Sequence, residues 1–227
     1  MVPDWRFDLM GLSHSPRIVT DGLVFCVDAA NKRSYPGAGT TWTDLTANKN
    51  NGTLTNGPTF DTNNKGGIVL DGTNDFIACS NTSLSVQGPL TIDVWAKYIG
   101  GLGIENLVAL KSGSKALQFG TRTSGVVWRY GGGINISYTT PTLGKITHWI
   151  LTADGSNMNV YIDGLLDSST TSAANQTGSN ALLSIGTYNN GGSEVFGGTV
   201  YCVKLYNKVL TANEVLQNHL ATKGRYQ

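Results

Sequence analysis

The chain has 227 residues, a formal net charge of +1, 14 % charged residues and 40 % hydrophobic ones. Disorder needs low hydrophobicity and high net charge, so this balance describes a folded chain, and the length suits one β-sandwich domain. Lys and Arg never occur three in a row, which argues against a nucleic-acid surface, and no apolar stretch approaches the ~20 residues that span a bilayer.

Residues 1–20 lack clean periodicity and hold Pro3 and Pro16. With the apolar anchors Trp5, Phe7, Leu9 and Met10 they read as an extended docking arm, followed by one domain over residues 21–227. Asp4, Arg6 and Asp8 leave no apolar core for a signal peptide there.

Short strand patterns separated by turn clusters follow. Residues 22–28 alternate Leu23, Phe25 and Val27 with smaller side chains, and residues 31–56 are loop-rich around a strand candidate at 42–45. Residues 67–70 and 75–79 flank Asp71-Gly72-Thr73-Asn74, a hairpin signature. Over 90–97, Leu90, Ile92, Val94 and Ala96 take one face and Thr91, Asp93, Trp95 and Lys97 the other. Further strands are expected at 107–111, 117–120, 126–130, 149–153, 158–162, 182–186 and 199–206, with Asp163-Gly164 closing a second hairpin. Short strands spaced this evenly predict an all-β sandwich of two antiparallel sheets. One helix is expected: Thr211 and Glu214 form a capping box, Leu216, His219 and Leu220 line one side, and Lys223-Gly224 supplies the stop.

Cys26, Cys79 and Cys202 form an odd, widely spaced set. They read as buried reduced thiols, with one disulfide and a leftover thiol as the alternative. The sequons at Asn51, Asn81, Asn135 and Asn175 read as chance in an Asn- and Thr-rich chain.

The runs SPRIVTDGLVFCVDAANKRSYPG, TTWTDL, NNGTLTNGPTF, GGIVLDGTNDFI, TIDVWAK, NVYIDG and FGGTVYCVKLYNKVLT, with the short closing helix, resemble the concanavalin A-like, laminin-G-like jelly roll from Ser15 to Tyr226. SHSPRIVTDGL and the ending from Asn218 to Tyr226 are most similar to the branch found in virion proteins of tailed bacteriophages. The resemblance implies a non-enzymatic structural protein on the particle surface, made in the host cytoplasm. It would contact other virion proteins or further copies of itself, with weak binding of a host-surface glycan. A carbohydrate-binding adhesin is the alternative, and a glycosidase the third reading.

Glycoside hydrolysis needs a carboxylate pair, and the E-x-D-x-x-E run of the superfamily's glucanases is missing. The strand at 91–97 offers only Asp93 beside Trp95, and Glu105, Glu194 and Glu214 lie far apart. His14, His148 and His219 show no zinc spacing. No catalytic residue is assigned and no cofactor is required. Calcium is a candidate at Asp71, Asn74 and Asp75, where the competing reading is plain turn chemistry. Sugar stacking is assigned to Trp128, Arg129 and Tyr130, and to Tyr188 and Asn189, each beside glycine loops. The competing reading of Trp128, which alternates with Val126, is a core position, and Trp42, Trp95 and Trp149 read as core.

Overall fold

A computed structural model describes residues 16–79, 88–100, 103–112, 115–122, 126–130, 134–171, 182–188, 190 and 194–226. The arm anchors Trp5, Phe7, Leu9 and Met10, and Asn189, lie outside these residues. The strands are β1 (Leu23–Asp28), β2 (Thr41–Trp42), β3 (Gly52–Thr55), β4 (Thr59–Asp61), β5 (Gly67–Asp71), β6 (Phe76–Cys79), β7 (Leu90–Tyr98) and β8 (Ile104–Ser112). They continue as β9 (Lys115–Arg122), β10 (Val126–Tyr130), β11 (Ile134–Tyr138), β12 (Ile146–Ala153), β13 (Asn157–Ile162), β14 (Leu165–Thr171), β15 (Leu182–Ile185) and β16 (Gly197–Tyr206). The helix α1 (Ala212–Thr222) follows. Among the described residues no helix is long and apolar enough to cross a membrane.

One sheet, here the back sheet, has the order β14-β13-β12-β7-β16-β5-β4, with β1 also paired to β16. The front sheet runs β11-β10-β9-β8-β15-β6-β3-β2. β16 is long enough for two partners on one edge: Gly197–Val200 pairs with β5, and the stretch from Cys202 to Tyr206 pairs with β1. The core lies between the sheets. Ile92 and Val94 of β7, Leu151 of β12 and Val203 of β16 meet Val108 and Leu110 of β8, Phe119 of β9, and Leu183 and Ile185 of β15. Each such side chain contributes roughly 1.5–3 kcal/mol by leaving water. Trp42 and Trp149 belong to this core. All three cysteines are buried and free, as the first reading of them had it.

The turn at Asp163-Gly164 is a two-residue hairpin. Ile162 pairs with Leu165, and both turn residues have positive φ, 50° and 85°, the backbone a tight right-twisting hairpin requires. Gly164 has a second reason to be glycine: an added Cβ would lie 3.0 Å from His219 Cβ of the helix.

The expected hairpin at residues 71–74 is instead a crossover between sheets. β5 pairs with β16 and β4 in the back sheet, while β6 pairs with β15 and β3 in the front one. A tight Asp-Gly turn reverses the chain either way, and only the distant partners decide whether the flanking strands bond to each other. β3, β4, β11 and β14 had no clear sequence signature. β14 reads Leu-Leu-Asp-Ser-Ser-Thr-Thr and is mostly exposed, so no alternation betrays it.

The helix starts as expected, with both halves of the Thr211–Glu214 capping box formed. Its buried face differs. Val215, Asn218, His219 and Thr222 are buried, whereas Leu216 and Leu220 are exposed. Val215 packs with Val19, Ile150 and Leu210, and the rest of the surface beneath is polar, so the helix turns toward it Asn218, His219 and Thr222, which can hydrogen-bond there.

Candidate functional site

The back sheet's outer face carries a sealed polar network. Asp93 Oδ1 accepts from Lys204 Nζ at 2.8 Å and lies 3.0 Å from His148 Nε2. Its Oδ2 accepts from Asn218 Nδ2 at 2.8 Å. The Asn218 amide also donates to Tyr206 Oη, while its oxygen accepts from the Val19 backbone N–H at 2.8 Å. The His148 ring stacks on Trp95 with centroids 4.4 Å apart, and its Nδ1 lies 3.3 Å from His219 Nδ1. Trp95 Nε1 donates to Thr222 Oγ1 at 2.8 Å. Residues 17–20, at the end of the expected arm, form part of this seal: Tyr206 Oη donates to the Val19 carbonyl and Gln217 Nε2 to that of Arg17.

Burial alone would raise the Asp93 carboxyl, but the Lys204 ammonium and the His148 ring hold it well below the usual carboxylate range. The same attraction outweighs burial at Lys204 and raises it. Burial lowers His148 despite Asp93, and burial together with its neighbour His148 lowers His219. Asp93 is fully buried beneath the helix. There it neutralises an ammonium and has no path to a substrate.

The front sheet's outer face is built differently. One ladder row crosses every strand: Thr41, Thr53, Ala78, Ser184, Ala109 and Gln118, continuing along the backbone to Arg129 and Asn135. A β-bulge between Asn106 and Val108 interrupts β8 against β9. Opposite it stands Gly120, where an added Cβ would fall 1.8 Å from the Glu105 carbonyl oxygen; no larger residue allows that approach. Bulges re-aim side chains, and this one brings Asn106 beside Gln118. Both amides donate to Glu194 Oε2 at 2.6 Å. Glu194 lies in the chain between β15 and β16 and takes a left-handed φ of 58°. The same connection is fastened by Ser184 Oγ donating to Asn190 Oδ1 at 2.6 Å, and it places the half-buried Tyr188 ring 4.9 Å from Lys111 Nζ.

The backbones of the two sequence candidates are linked through this row, while the side chains of Trp128, Arg129 and Tyr130 lie outside the described ones. Tyr188 sits in the segment that carries Glu194, and Gln118, which holds Glu194, pairs across the ladder with Arg129. Trp128 stands between Phe119 and Ile136, and Tyr130 pairs with Leu117; these three partners are core residues. Sequence reasoning missed Asn106, Gln118 and Glu194. A glycine facing a bulge has no one-dimensional signal, and the residues are 76 positions or more from Glu194.

At the calcium candidate, Asp71 Oδ1 accepts from the amides of Thr73 (2.8 Å) and Asn74 (3.2 Å), and Asp75 Oδ2 accepts from the Asp71 amide at 3.2 Å. The amide bonds at Thr73 lower the Asp71 carboxyl, and burial raises that of Asp75. Asn74 is exposed and its carbonyl accepts from Asn56 Nδ2 at 2.8 Å. These carboxylates serve the turn. Among the described residues no group of three or more His, Cys, Asp or Glu side chains gathers as a metal site.

Two apposed antiparallel sheets of this order, closed by a short C-terminal helix, define a lectin-type jelly-roll sandwich. The chain belongs to the concanavalin A-like lectin/glucanases superfamily, whose laminin-G-type family model matches residues 71–216. Among solved structures it is similar to Trypanosoma rangeli sialidase in complex with the inhibitor DANA, at TM-score 0.72 and 16 % identity, over 95 % of this chain and 36 % of that one. It is also similar to domain 4 of AbnA, an extracellular arabinanase of Geobacillus stearothermophilus, in complex with arabinotriose. That match has TM-score 0.70 and 18 % identity, over 92 % of this chain and 100 % of the domain. A third likeness is the binding domain of Paraclostridial Mosquitocidal Protein 1, at TM-score 0.65 and 17 % identity, over 87 % and 52 % of the two chains. At these identities the likeness is one of fold, and the chain spans about a third of the sialidase. No curated protein matches its sequence.

Proposed function

We propose that the chain is a non-enzymatic carbohydrate-binding module. The observation that carries this reading is the front-face platform, where the Lys111 ammonium of β8 lies 4.9 Å from the centroid of the Tyr188 ring and the connection that carries Tyr188 is tied to the sheet through Glu194 by Asn106 and Gln118. A tyrosine ring with an ammonium over one face suits a pyranose or furanose, whose C–H groups stack on the other face while its hydroxyls bond to the charged group. The Geobacillus domain solved with arabinotriose, similar along its whole length, supports a binding rather than a catalytic role.

The expected setting is the surface of a tailed-phage particle, with virion subunits or further copies of the chain as partners. Its support is the sequence resemblance at SHSPRIVTDGL and at the ending from Asn218 to Tyr226. A glycan array probed with the full chain, with and without calcium, tests the module. Binding that Tyr188→Ala reduces about tenfold supports it, and an array blank in both conditions overturns it. Co-sedimentation with phage particles tests the setting, where a fixed saturating copy number is expected. Release on deleting residues 1–15 would assign docking to the arm.

A further inference from the structure

A second recess lies away from the front face, between the chain following β1 and the turn following β4. It encloses about 200 Å³ and is lined by Lys32, Tyr35, Pro36, Phe60, Thr62 and Lys65 among others. At about 30 Å³ per water, it holds roughly seven waters, comparable to one sugar ring.

Its walls are fixed from both sides. The amides of Ser34 and Tyr35 donate to the Asn31 carbonyl at 2.7 and 2.8 Å, closing a turn with Lys32 at its tip. Tyr35 is buried, its hydroxyl donates to the Gly39 carbonyl at 2.8 Å, and its ring meets Phe60 at 5.2 Å between centroids. Opposite, Asp61 Oδ1 accepts from the Asn63 amide at 2.9 Å and from its side chain at 2.7 Å. The chain then passes through two consecutive left-handed non-glycine residues, Asn64 (φ 53°) and Lys65 (φ 69°). Such backbone is uncommon and costs energy. Here it carries Lys65 back beside the recess.

Lys32 and Lys65 are exposed at the rim, and among the described residues neither is in an ion pair. Of the nearby acids, Asp28 is paired with Arg225 at 2.7 Å, while Asp61, hydrogen-bonded to the neutral Asn63, keeps one negative charge against the two lysines. Two exposed lysines against one free carboxylate leave the rim net positive beside the Tyr35 and Phe60 rings, which favours one kind of occupant, a flat ring with an apolar face and an anionic substituent. We propose that this recess binds a single acidic pyranose unit, its C–H face against Phe60 and its carboxylate or sulfate between Lys32 and Lys65. This site is distinct from the Tyr188 platform.

The test titrates the full chain with glucuronic acid and, separately, with glucose, followed by heteronuclear NMR. Expected are saturable shifts around Tyr35 and Phe60 with glucuronic acid that weaken as salt rises, and none with glucose. The surface double variant Lys32→Ala/Lys65→Ala should lose about tenfold in affinity, as removal of charge-assisted bonds predicts. Phe60→Leu should weaken binding while leaving the salt dependence in place. Tyr188→Ala should leave this binding unchanged, which separates failure here from failure at the platform. Equal response to both sugars, full affinity in the double lysine variant, or no response of this region to glucuronic acid would each overturn the proposal.

Discussion

The outer faces of the two sheets start from the same pleat and end with opposite roles. On the back sheet, Asp93, His148 and Lys204 project from neighbouring strands and are covered by α1 and residues 17–20, a contact between positions 199 residues apart. On the front sheet, Gln118 and Asn106 are covered, among the described residues, by the connection from β15 to β16, in which Glu194 and Tyr188 are partly open to solvent. The same kinds of polar side chain become a structural bolt under one cover and, in the proposed function, a recognition surface under the other. The cover sets the role, because it decides whether water can reach the group.

The comparison breaks most visibly at Asp93. Asp93→Ala leaves the buried Lys204 ammonium unpaired and strips partners from His148 and Asn218, so chemical denaturation should report a loss of about 3–5 kcal/mol. Replacing Asp93 and Lys204 together by apolar residues of similar volume should cost much less than the single change. A double as damaging as Asp93→Ala would contradict the charge argument.

Acid should loosen the same face. His148 and His219 titrate below the usual value of 6.5 in the folded chain. The unfolded chain therefore binds their protons first, and stability falls as pH drops below about 6.5. Asp93, also lowered, adds a further loss below the carboxylate value of 3.8. Melting temperatures should thus decline from pH 7.5 to pH 5, and His219→Gln should flatten that decline.

A smaller effect is expected at the start of the cover. Thr211→Ala removes half of the capping box and should cost about 1 kcal/mol. Protease sensitivity of the C-terminal segment should rise before the sandwich itself unfolds.

On the front face the smallest stability change goes with the largest change in binding. Tyr188→Ala should shift unfolding by no more than about 0.5 kcal/mol while weakening glycan retention on an affinity matrix about tenfold. A variant that instead melts early would make Tyr188 part of the structure rather than of the surface.

The strands with one apolar face were legible without coordinates. β7 alternates as its residues predict, β10 has the expected limits, and the Asp163-Gly164 turn is fixed by its two residue types. The helix start was equally legible, because a capping box is a local contract between Thr211 and Glu214. The helix face was not. Leu216, His219 and Leu220 looked like one side of it; of these only His219 is buried, and the charged surface beneath explains why it is joined there by Asn218 rather than by the two leucines. Of the candidate site, Tyr188 stands out in the sequence as an aromatic residue beside a glycine loop, but nothing along the chain links it to Lys111, Asn106 or Gln118.

The sequence by itself determined what is local or periodic: the all-β class, most strands, the tight turns, the capped helix and the membership in a lectin-type sandwich. Tertiary structure alone decided which turn crosses between sheets, which acid is sealed away, and which polar groups gather at the bulge opposite Gly120. The physical reason is range. Turns and alternation follow from neighbouring φ and ψ angles and side-chain spacing, whereas burial and electrostatic environment follow from partners up to 199 residues distant.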